Sequence, residues 1–292
     1  MEQLLFDGEF FKKLNSLKLN IHLRLNKGSS GSRKSSAKGS SLEFSDFREY
    51  ILGDDIRHID WNAYGRTDKL LVKLFMEEKE GHFHIFVDGS KSMDFGADNK
   101  SVSACRIAGA LSYLVLNNLD RVYLTTLKKE GICSSKGLTG RQAFGKIRKQ
   151  LEDSVFESET EIDSLVKKTR FYGKGVSIII SDFYLTEDIE KLVKFLASKK
   201  QEIIFIHTLS EEELNPLMEG TLNLIDSESK ENIKITMNSS MSKKYHQTLT
   251  QFTNHIREIC KRYGATYVLA PSYVSIDRLF FEIFGQAGIV TR

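Results

Sequence analysis

The fold is decided by the stretch His84-Ile85-Phe86-Val87-Asp88-Gly89-Ser90-Lys91-Ser92, in which a short apolar run leads directly into an Asp-x-Ser-x-Ser box. The run has the length and composition of a buried strand. Apolar residues then recur at helical spacing from about Ser101 to Asn117. A strand, a polar loop and a helix in this order are typical of a parallel sheet that is covered by helices.

The same alternation continues along the chain. The most apolar run, Val176-Ser177-Ile178-Ile179-Ile180, predicts a central strand that ends at Asp182, and further strands are predicted at 203–206 and 266–269. Residues 121–127 and 132–134 flank a short turn, which predicts a hairpin and hence one antiparallel edge strand. We therefore expect an α/β fold with a doubly wound, mostly parallel sheet.

Two regions depart from this alternation. Residues 1–80 are expected to contain an N-terminal helix, a linker and a small β-rich accessory region, in which segment 59–64 is predicted to be extended. Residues 81–292 are expected to form the main domain. Within it, 211–240 predicts a hairpin insertion. We expect this hairpin to pack on the accessory region as one lobe, because neither has enough apolar residues for its own core.

Two aspartates follow predicted strands at their carboxyl ends. Asp88 ends the first apolar run and Asp182 follows the central one, and ligands of open parallel sheets bind in the crevice at that edge. Asp88 shares its box with Ser90 and Ser92. Mg²⁺ and Mn²⁺ prefer such oxygen donors, and an ion held by few carboxylates still attracts an anion. The sequence thus predicts a divalent-cation site suited to binding a partner.

The order of these residues resembles the von Willebrand factor A domain and its metal-ion-dependent adhesion site. In that site an Asp-x-Ser-x-Ser box, a loop threonine and a later strand-end aspartate hold Mg²⁺. The resemblance implies that the threonine is Thr160, which lies in the loop entering the helix before the central strand. The implied metal ligands are Asp88, Ser90, Ser92, Thr160 and Asp182.

Four of these five residues also have a structural interpretation. Asp88 and Ser90 suit a turn and a helix cap, Thr160 suits the cap of the helix that follows, and Asp182 suits a strand-end turn. Two histidines offer a weaker metal pattern. His82 and His84 would share one face of a strand, but no third ligand is near them in the sequence, and we expect His84 to pack beside the core.

A second, longer string is more specific than the metal box. It comprises Phe47-Arg48-Glu49-Tyr50-Ile51-Leu52-Gly53-Asp54-Asp55-Ile56-Arg57-His58-Ile59-Asp60-Trp61, then Gly65-Arg66 and Leu70-Leu71-Val72-Lys73-Leu74-Phe75-Met76-Glu77-Glu78. The string resembles the signature of the bacterial family catalogued as domain of unknown function fifty-eight, and the similarity runs from about residue 17 to the C-terminus. Members are von Willebrand A-like proteins usually paired with MoxR-type AAA+ ATPases. The resemblance implies such an ATPase as a partner, together with an unidentified protein client.

Composition argues against several other classes. The 42 Lys and Arg and 39 Asp and Glu residues leave a net charge of +3, which is too small to imply a nucleic acid or a membrane surface. The basic cluster at 27–38 is rich in Gly and Ser, which favours a linker. No apolar run approaches the roughly 20 residues of an integral membrane segment. The three cysteines show no disulfide or zinc pattern, so we expect a cytoplasmic protein.

The sequence favours a non-enzymatic, Mg²⁺-dependent protein-interaction module. It contains no Walker A, Gly-x-Ser-x-Gly or His-Glu-x-x-His string, so the usual parts for nucleotide binding, serine hydrolysis and zinc proteolysis are absent from it. A metal-dependent hydrolase or phosphotransferase using the same cation is the alternative. Nucleic-acid binding through residues 27–38 is a third hypothesis, and we expect no nucleic-acid partner.

Overall fold

The computed structural model describes residues 6–20, 42–77, 80–128, 131–157, 161–184, 188–216, 220–225 and 232–291. The strands are β1 (Lys18–Leu19), β2 (Leu42–Glu49), β3 (Leu71–Glu77), β4 (His82–Asp88), β5 (Arg121–Lys128), β6 (Gly131–Ser134), β7 (Gly175–Ser181), β8 (Gln201–His207), β9 (Gly220–Ile225), β10 (Asn232–Met237), β11 (Thr266–Leu269) and β12 (Val290–Thr291). The helices are α1 (Gly8–Leu14), α2 (Trp61–Thr67), α3 (Lys100–Asn117), α4 (Phe144–Glu152), α5 (Ile162–Lys167), α6 (Ile189–Ser198), α7 (Glu211–Leu214), α8 (Ser239–Arg262), α9 (Ile276–Arg278) and α10 (Phe284–Gln286). Among the helices described, none is long and apolar enough to cross a lipid bilayer.

The main sheet has the strand order β11-β8-β7-β4-β5-β6. Its first five strands are parallel, and β6 pairs antiparallel with β5 at one edge. From β4 the chain continues to β5 on one side and later returns to place β7 on the other. The switch point of the sheet therefore lies between β4 and β7, which is where ligands of doubly wound sheets bind. The predicted fold class is confirmed.

The central strands are apolar on both faces. Ile178 and Ile180 of β7 pack in one core with side chains of α3, whereas Ile179 packs in a second core with side chains of α6 and α8. This division follows from the alternation of side chains along a strand. Because each face of the sheet is covered by helices, the carboxyl edge is where its polar side chains can gather.

The N-terminal segment belongs to the main domain. Phe6, Phe10 and Leu14 are buried in the same core as α3, and β1 pairs with β12 near the C-terminus. By its contacts the chain divides into one unit of Met1–Leu25 and Gly81–Arg292 and a second unit of Asn26–Glu80. Residues 1–25 differ from the prediction, because their aromatic side chains complete the core of the main domain.

The second unit contains the antiparallel pair β2 and β3 and the helix α2. Segment 59–64, which we predicted to be extended, leads into this helix. The Asp60 carboxylate accepts hydrogen bonds from the N–H groups of Asn62 at 3.0 Å and Ala63 at 3.1 Å. The prediction was wrong because this N-cap satisfies the first turn of a helix and outweighs the strand propensity of Trp61.

The predicted hairpin within 211–240 is present as β9 and β10, which pair antiparallel with Ile225 opposite Asn232. Its turn at 226–229 lies outside the described residues. That the hairpin packs on the accessory region stays a prediction.

His84 is a buried histidine on β4. Its ring stacks on the Tyr123 ring with the centroids 4.5 Å apart, and neither of its ring nitrogens has a hydrogen-bond partner among the described residues. Burial, followed by the charge of His82, lowers the pKa of His84 from 6.5 to about 4. The unfolded chain therefore takes up a proton at a higher pH than the folded chain. As a result, folding stability is lost as the pH falls from about 6.5 to about 4.

We expect His84→Phe to remove this part of the acid sensitivity. Between about pH 7 and about pH 5, the wild-type protein should lose about 2 kcal/mol more of its unfolding free energy than the variant, as measured by urea denaturation. His255 lies exposed on α8, so His255→Phe is the matched control and should behave like the wild type. Identical pH dependence in the wild type and His84→Phe would contradict the assignment.

Candidate metal site at the carboxyl edge of the sheet

Asp88 is the last residue of β4, and its side chain is 1 % exposed. One carboxylate oxygen, Oδ1, accepts a hydrogen bond from the Ser90 N–H at 2.9 Å. The other, Oδ2, accepts one from the Ser181 hydroxyl at 2.6 Å. Ser181 ends the neighbouring strand β7, so this hydrogen bond spans the switch point. The carboxylate is thereby held in one orientation.

Two hydroxyl groups lie next to this carboxylate in the chain. The Ser90 and Ser92 hydroxyl oxygens are 3.0 Å apart, at the start of a 3₁₀ turn over Lys91–Met93. Gly89 permits the tight passage from strand to turn, because a Cβ atom there would lie 2.4 Å from the Leu127 carbonyl oxygen. A methyl group at this position would push the box away from β5.

Asp182 directly follows β7 and is also buried. Its Oδ1 accepts a hydrogen bond from the Tyr184 N–H at 3.3 Å. The intervening residue, Phe183, has a φ of 58°, which a bulky side chain rarely adopts. Its N–H donates to the Ser181 hydroxyl at 2.8 Å, and its ring packs against Phe205. Packing therefore holds a strained backbone conformation directly after Asp182.

Lys100 brings a positive charge into this site. It begins α3, and its side chain is fully buried. Its ammonium nitrogen donates to Asp182 Oδ2 at 2.8 Å and to Glu213 Oε1 at 2.7 Å. The ammonium group also lies 5.5 Å from the centroid of the Tyr184 ring. Since a buried ammonium is costly without partners, these contacts explain how it is retained there.

Glu213 is positioned by the short helix α7. The Ser210 hydroxyl accepts the Glu213 N–H at 3.3 Å, and the Glu213 carboxylate accepts the Ser210 N–H at 2.8 Å, which together form a capping box. The Tyr245 hydroxyl of α8 donates to the Glu213 carbonyl at 2.7 Å. Through Lys100, the segment that follows β8 is thus linked to Asp182 at the end of β7.

The charges of the buried groups are not balanced. Asp88, Asp182 and Glu213 supply three carboxyl groups, whereas Lys100 supplies one ammonium group. Burial, and then the nearby charge of Asp182, raises the pKa of Asp88 from 3.8 to about 7. His207 does not restore the balance, since burial lowers its pKa to about 4 and keeps it neutral at pH 7. The site therefore favours an added cation.

The structure gathers most of the predicted ligands at one edge. Asp88, Ser90 and Ser92 form one group, and the Ser181 hydrogen bond places Asp182 across the switch point from them. Thr160 lies outside the described residues. Within the described part of the chain, no three His, Cys, Asp or Glu side chains are grouped to hold a metal ion by themselves. Any ion here depends on the serine hydroxyls, and ligation stays a prediction.

Sequence reasoning missed Ser181, Lys100 and Glu213. Lys100 carried one usable signal, because a lysine in the first turn of a helix opposes the helix dipole and calls for a compensating partner. Ser181 directly precedes Asp182, where a hydroxyl at the end of an apolar strand is also unusual. Glu213 follows a serine by three residues, which indicates only a capping box.

The sheet order, the antiparallel edge strand and the Asp-x-Ser-x-Ser box at the switch point define a von Willebrand factor A-like α/β protein. More particularly, the chain belongs to the DUF58 family of proteins of unknown function, which matches residues 46–255.

Several known proteins are similar to this chain in sequence or in fold. Uncharacterized protein Rv1480 of Mycobacterium tuberculosis is 25% identical over 232 residues, which cover 76% of this chain and 72% of that protein. The conserved hypothetical protein BatB of Bacteroides thetaiotaomicron has a TM-score of 0.44 at 15% identity, covering 71% of this chain and 98% of BatB. The SpRpn10 VWA domain has a TM-score of 0.41 at 13% identity, covering 68% of this chain and 92% of that domain.

Proposed function

We propose that this protein is a Mg²⁺-dependent protein-interaction module, not an enzyme, that binds a MoxR-type AAA+ ATPase and an unidentified protein client. One observation carries the proposal: a fixed, buried carboxylate, Asp88, stands beside two hydroxyls in a site with more acidic than basic groups. The von Willebrand A-like fold supports the protein-interaction role, because its sheet holds this site at the carboxyl edge, where ligands of open parallel sheets bind.

The donor set fits Mg²⁺ or Mn²⁺. Asp88, Ser90 and Ser92 offer hard oxygen ligands, Thr160 is the proposed loop ligand, and Asp182 is the second carboxylate. One Asp182 oxygen already accepts a hydrogen bond from Lys100 at 2.8 Å. Asp182 would therefore hold the ion through its other oxygen or through a water molecule. A bound ion supplies an electrophilic centre that attracts a further anionic ligand. We assign that ligand to an acidic side chain of the partner.

The choice of ATPase rests on the family. DUF58 membership is shown by the match over residues 46–255. The MoxR-type ATPase is proposed as the partner because the sequence resembles the family whose members are usually paired with such ATPases. We propose a cytoplasmic location for this chain, since that is where such an ATPase finds its nucleotide. Cys105 and Cys260, both buried, are free thiols, which suits a reducing compartment.

The alternative function, a metal-dependent hydrolase or phosphotransferase, gains one supporting observation. A second carboxylate, Asp182, lies near Asp88 and binds a lysine, Lys100, and phosphoryl transfer uses such groups. However, the Lys100 ammonium is fully buried and is held between two carboxylates. It would have to leave both partners to bind a phosphate, so we favour the binding module.

Retention of a MoxR-type ATPase from host lysate tests the proposal. The immobilised full chain should retain the ATPase in Mg²⁺ and lose it in EDTA, and Asp88→Asn should lose it in both. Glu258→Gln, which removes an exposed carboxylate on α8, is the matched control and should behave like the wild type. Equal retention in Mg²⁺ and EDTA would contradict metal-dependent binding, and Mg²⁺-dependent turnover of a phosphate ester, abolished by Asp88→Asn, would favour the alternative.

A further inference from the structure

An open cleft of about 350 Å³ lies between the end of β5 and helix α4. Its lining includes Lys128 of β5 and Lys146 and Lys149 of α4, whereas Asp153 is the acidic residue among the lining side chains. Lys146 and Lys149 are one helical turn apart, on the side of α4 opposite its buried Ile147. The cleft therefore presents clustered positive charge to solvent.

The lysines lack partners within the described part of the chain. No described acidic side chain forms an ion pair with Lys128, Lys146 or Lys149, although Arg148 on the same helix pairs with Glu152 at 2.7 Å. Three ammonium groups around one cleft repel each other. An anion in the cleft relieves this repulsion, so the arrangement favours an acidic ligand.

The inner wall of the cleft adds hydrogen-bonding groups. Thr126 is buried on β5, and its hydroxyl oxygen lies 3.3 Å from that of Ser154. The Ser154 hydroxyl in turn donates to the Gln150 carbonyl at 2.8 Å. These hydroxyl groups are already engaged with each other and with the Gln150 carbonyl, so the ammonium groups at the rim are the donors that suit carboxylates.

The cleft lies next to the candidate metal site along β5, because its lining residues Thr126 and Lys128 flank Leu127, which pairs with Asp88. Thr126 pairs with Val87, the residue before Asp88, across the parallel β4 and β5 strands. A Cβ atom on Gly89, within the Asp-x-Ser-x-Ser box, would lie 3.3 Å from Lys128 Cγ. The stem of Lys128 therefore packs against the box itself. Lys128 thus belongs both to the cleft lining and to the surroundings of the box.

We propose that this cleft binds an acidic segment of a protein partner, with carboxylates of the segment on Lys128, Lys146 and Lys149. The proposal rests on the proposed function in that the same segment supplies the carboxylate for the metal ion. Lysine ammonium groups act as point charges on flexible stems, so they accommodate carboxylates at variable spacing. A protein segment is preferred to a nucleic acid because one continuous chain then serves both the cleft and the metal.

The test measures binding of a fluorescein-labelled oligoglutamate peptide to the full chain in Mg²⁺ by fluorescence anisotropy. The variant Lys146→Gln/Lys149→Gln should bind the peptide about tenfold more weakly than the wild type, as expected for two lost charge contacts. Lys243→Gln/Lys244→Gln removes two exposed lysines from α8 and is the matched control. Its affinity should equal that of the wild type.

Four further outcomes are decisive. Mn²⁺ affinity should be unchanged in Lys146→Gln/Lys149→Gln, so a loss of peptide binding is assigned to the cleft and not to the metal. Equal peptide affinity in the cleft variant and the control would show that the cleft does not bind the acidic segment. That result would leave the proposed metal site unaffected. If Asp88→Asn binds the peptide like the wild type while the cleft variant does not, the cleft is the binding site. The proposed contact between the metal ion and a carboxylate of the same segment is then rejected. Stronger binding of a single-stranded DNA of matched charge, lost in the cleft variant, overturns the protein partner.

Discussion

Lys100→Met should lower the free energy of unfolding by about 3–5 kcal/mol, the usual cost of breaking a buried ion pair by removing one partner. The Lys100 ammonium lies within 2.8 Å of Asp182 and 2.7 Å of Glu213, and none of it is exposed. Methionine has a similar length but no charge, so both carboxylates lose their partner in a buried site. Urea denaturation with divalent cations chelated is the measurement, since a bound ion would replace the missing charge.

The matched control for this variant is Lys191→Met. Lys191 forms an ion pair with Asp188 at 3.0 Å, but its side chain is 72% exposed, so its removal should have little effect. Adding Asp182→Asn to Lys100→Met should recover part of the lost stability, because one uncompensated carboxylate is then neutral. If Lys100→Met is as stable as Lys191→Met, the buried ion pair does not stabilise the edge of the sheet.

Asp88→Asn should weaken Mn²⁺ binding by roughly 100-fold or more, because it removes the charged ligand of the candidate site. The amide keeps an oxygen that accepts the Ser90 N–H, so the turn is preserved. Isothermal titration calorimetry with Mn²⁺ provides the affinity. Undiminished affinity in the variant would show that the cation binds elsewhere.

The same variant should not unfold more readily than the wild type when cations are chelated. Asp88 is fully buried beside Asp182, so its negative charge is unfavourable to the folded state without a cation. Mg²⁺ should raise the melting temperature of the wild type and leave that of Asp88→Asn unchanged, because only a bound ligand stabilises the folded state. A large loss of stability in Asp88→Asn would instead assign the carboxylate a structural role.

Sequence periodicity predicted the layers of the fold because it reports local physics. Because the run of β7 is apolar on both faces, both faces must be buried away from water, and Ile178 and Ile179 accordingly lie in opposite cores. Gly264 follows the C-cap of the long helix α8 with a φ of 70°, the left-handed conformation in which glycine commonly ends a helix. The failure at α2 is also local, since Trp61 favours a strand while the preceding Asp60 caps a helix.

The sequence by itself therefore determined the parallel sheet, its one antiparallel edge strand and the place of Asp88 and Asp182 at strand ends. Only the tertiary structure decided the electrostatics of that edge. Lys100 meets Asp182 across 82 residues of sequence and Glu213 across 113 residues, and no periodic pattern reports contacts at such separations. Strand and helix patterns reflect the nearest few residues, whereas a buried charge is settled by whichever distant groups the completed fold brings within hydrogen-bond distance.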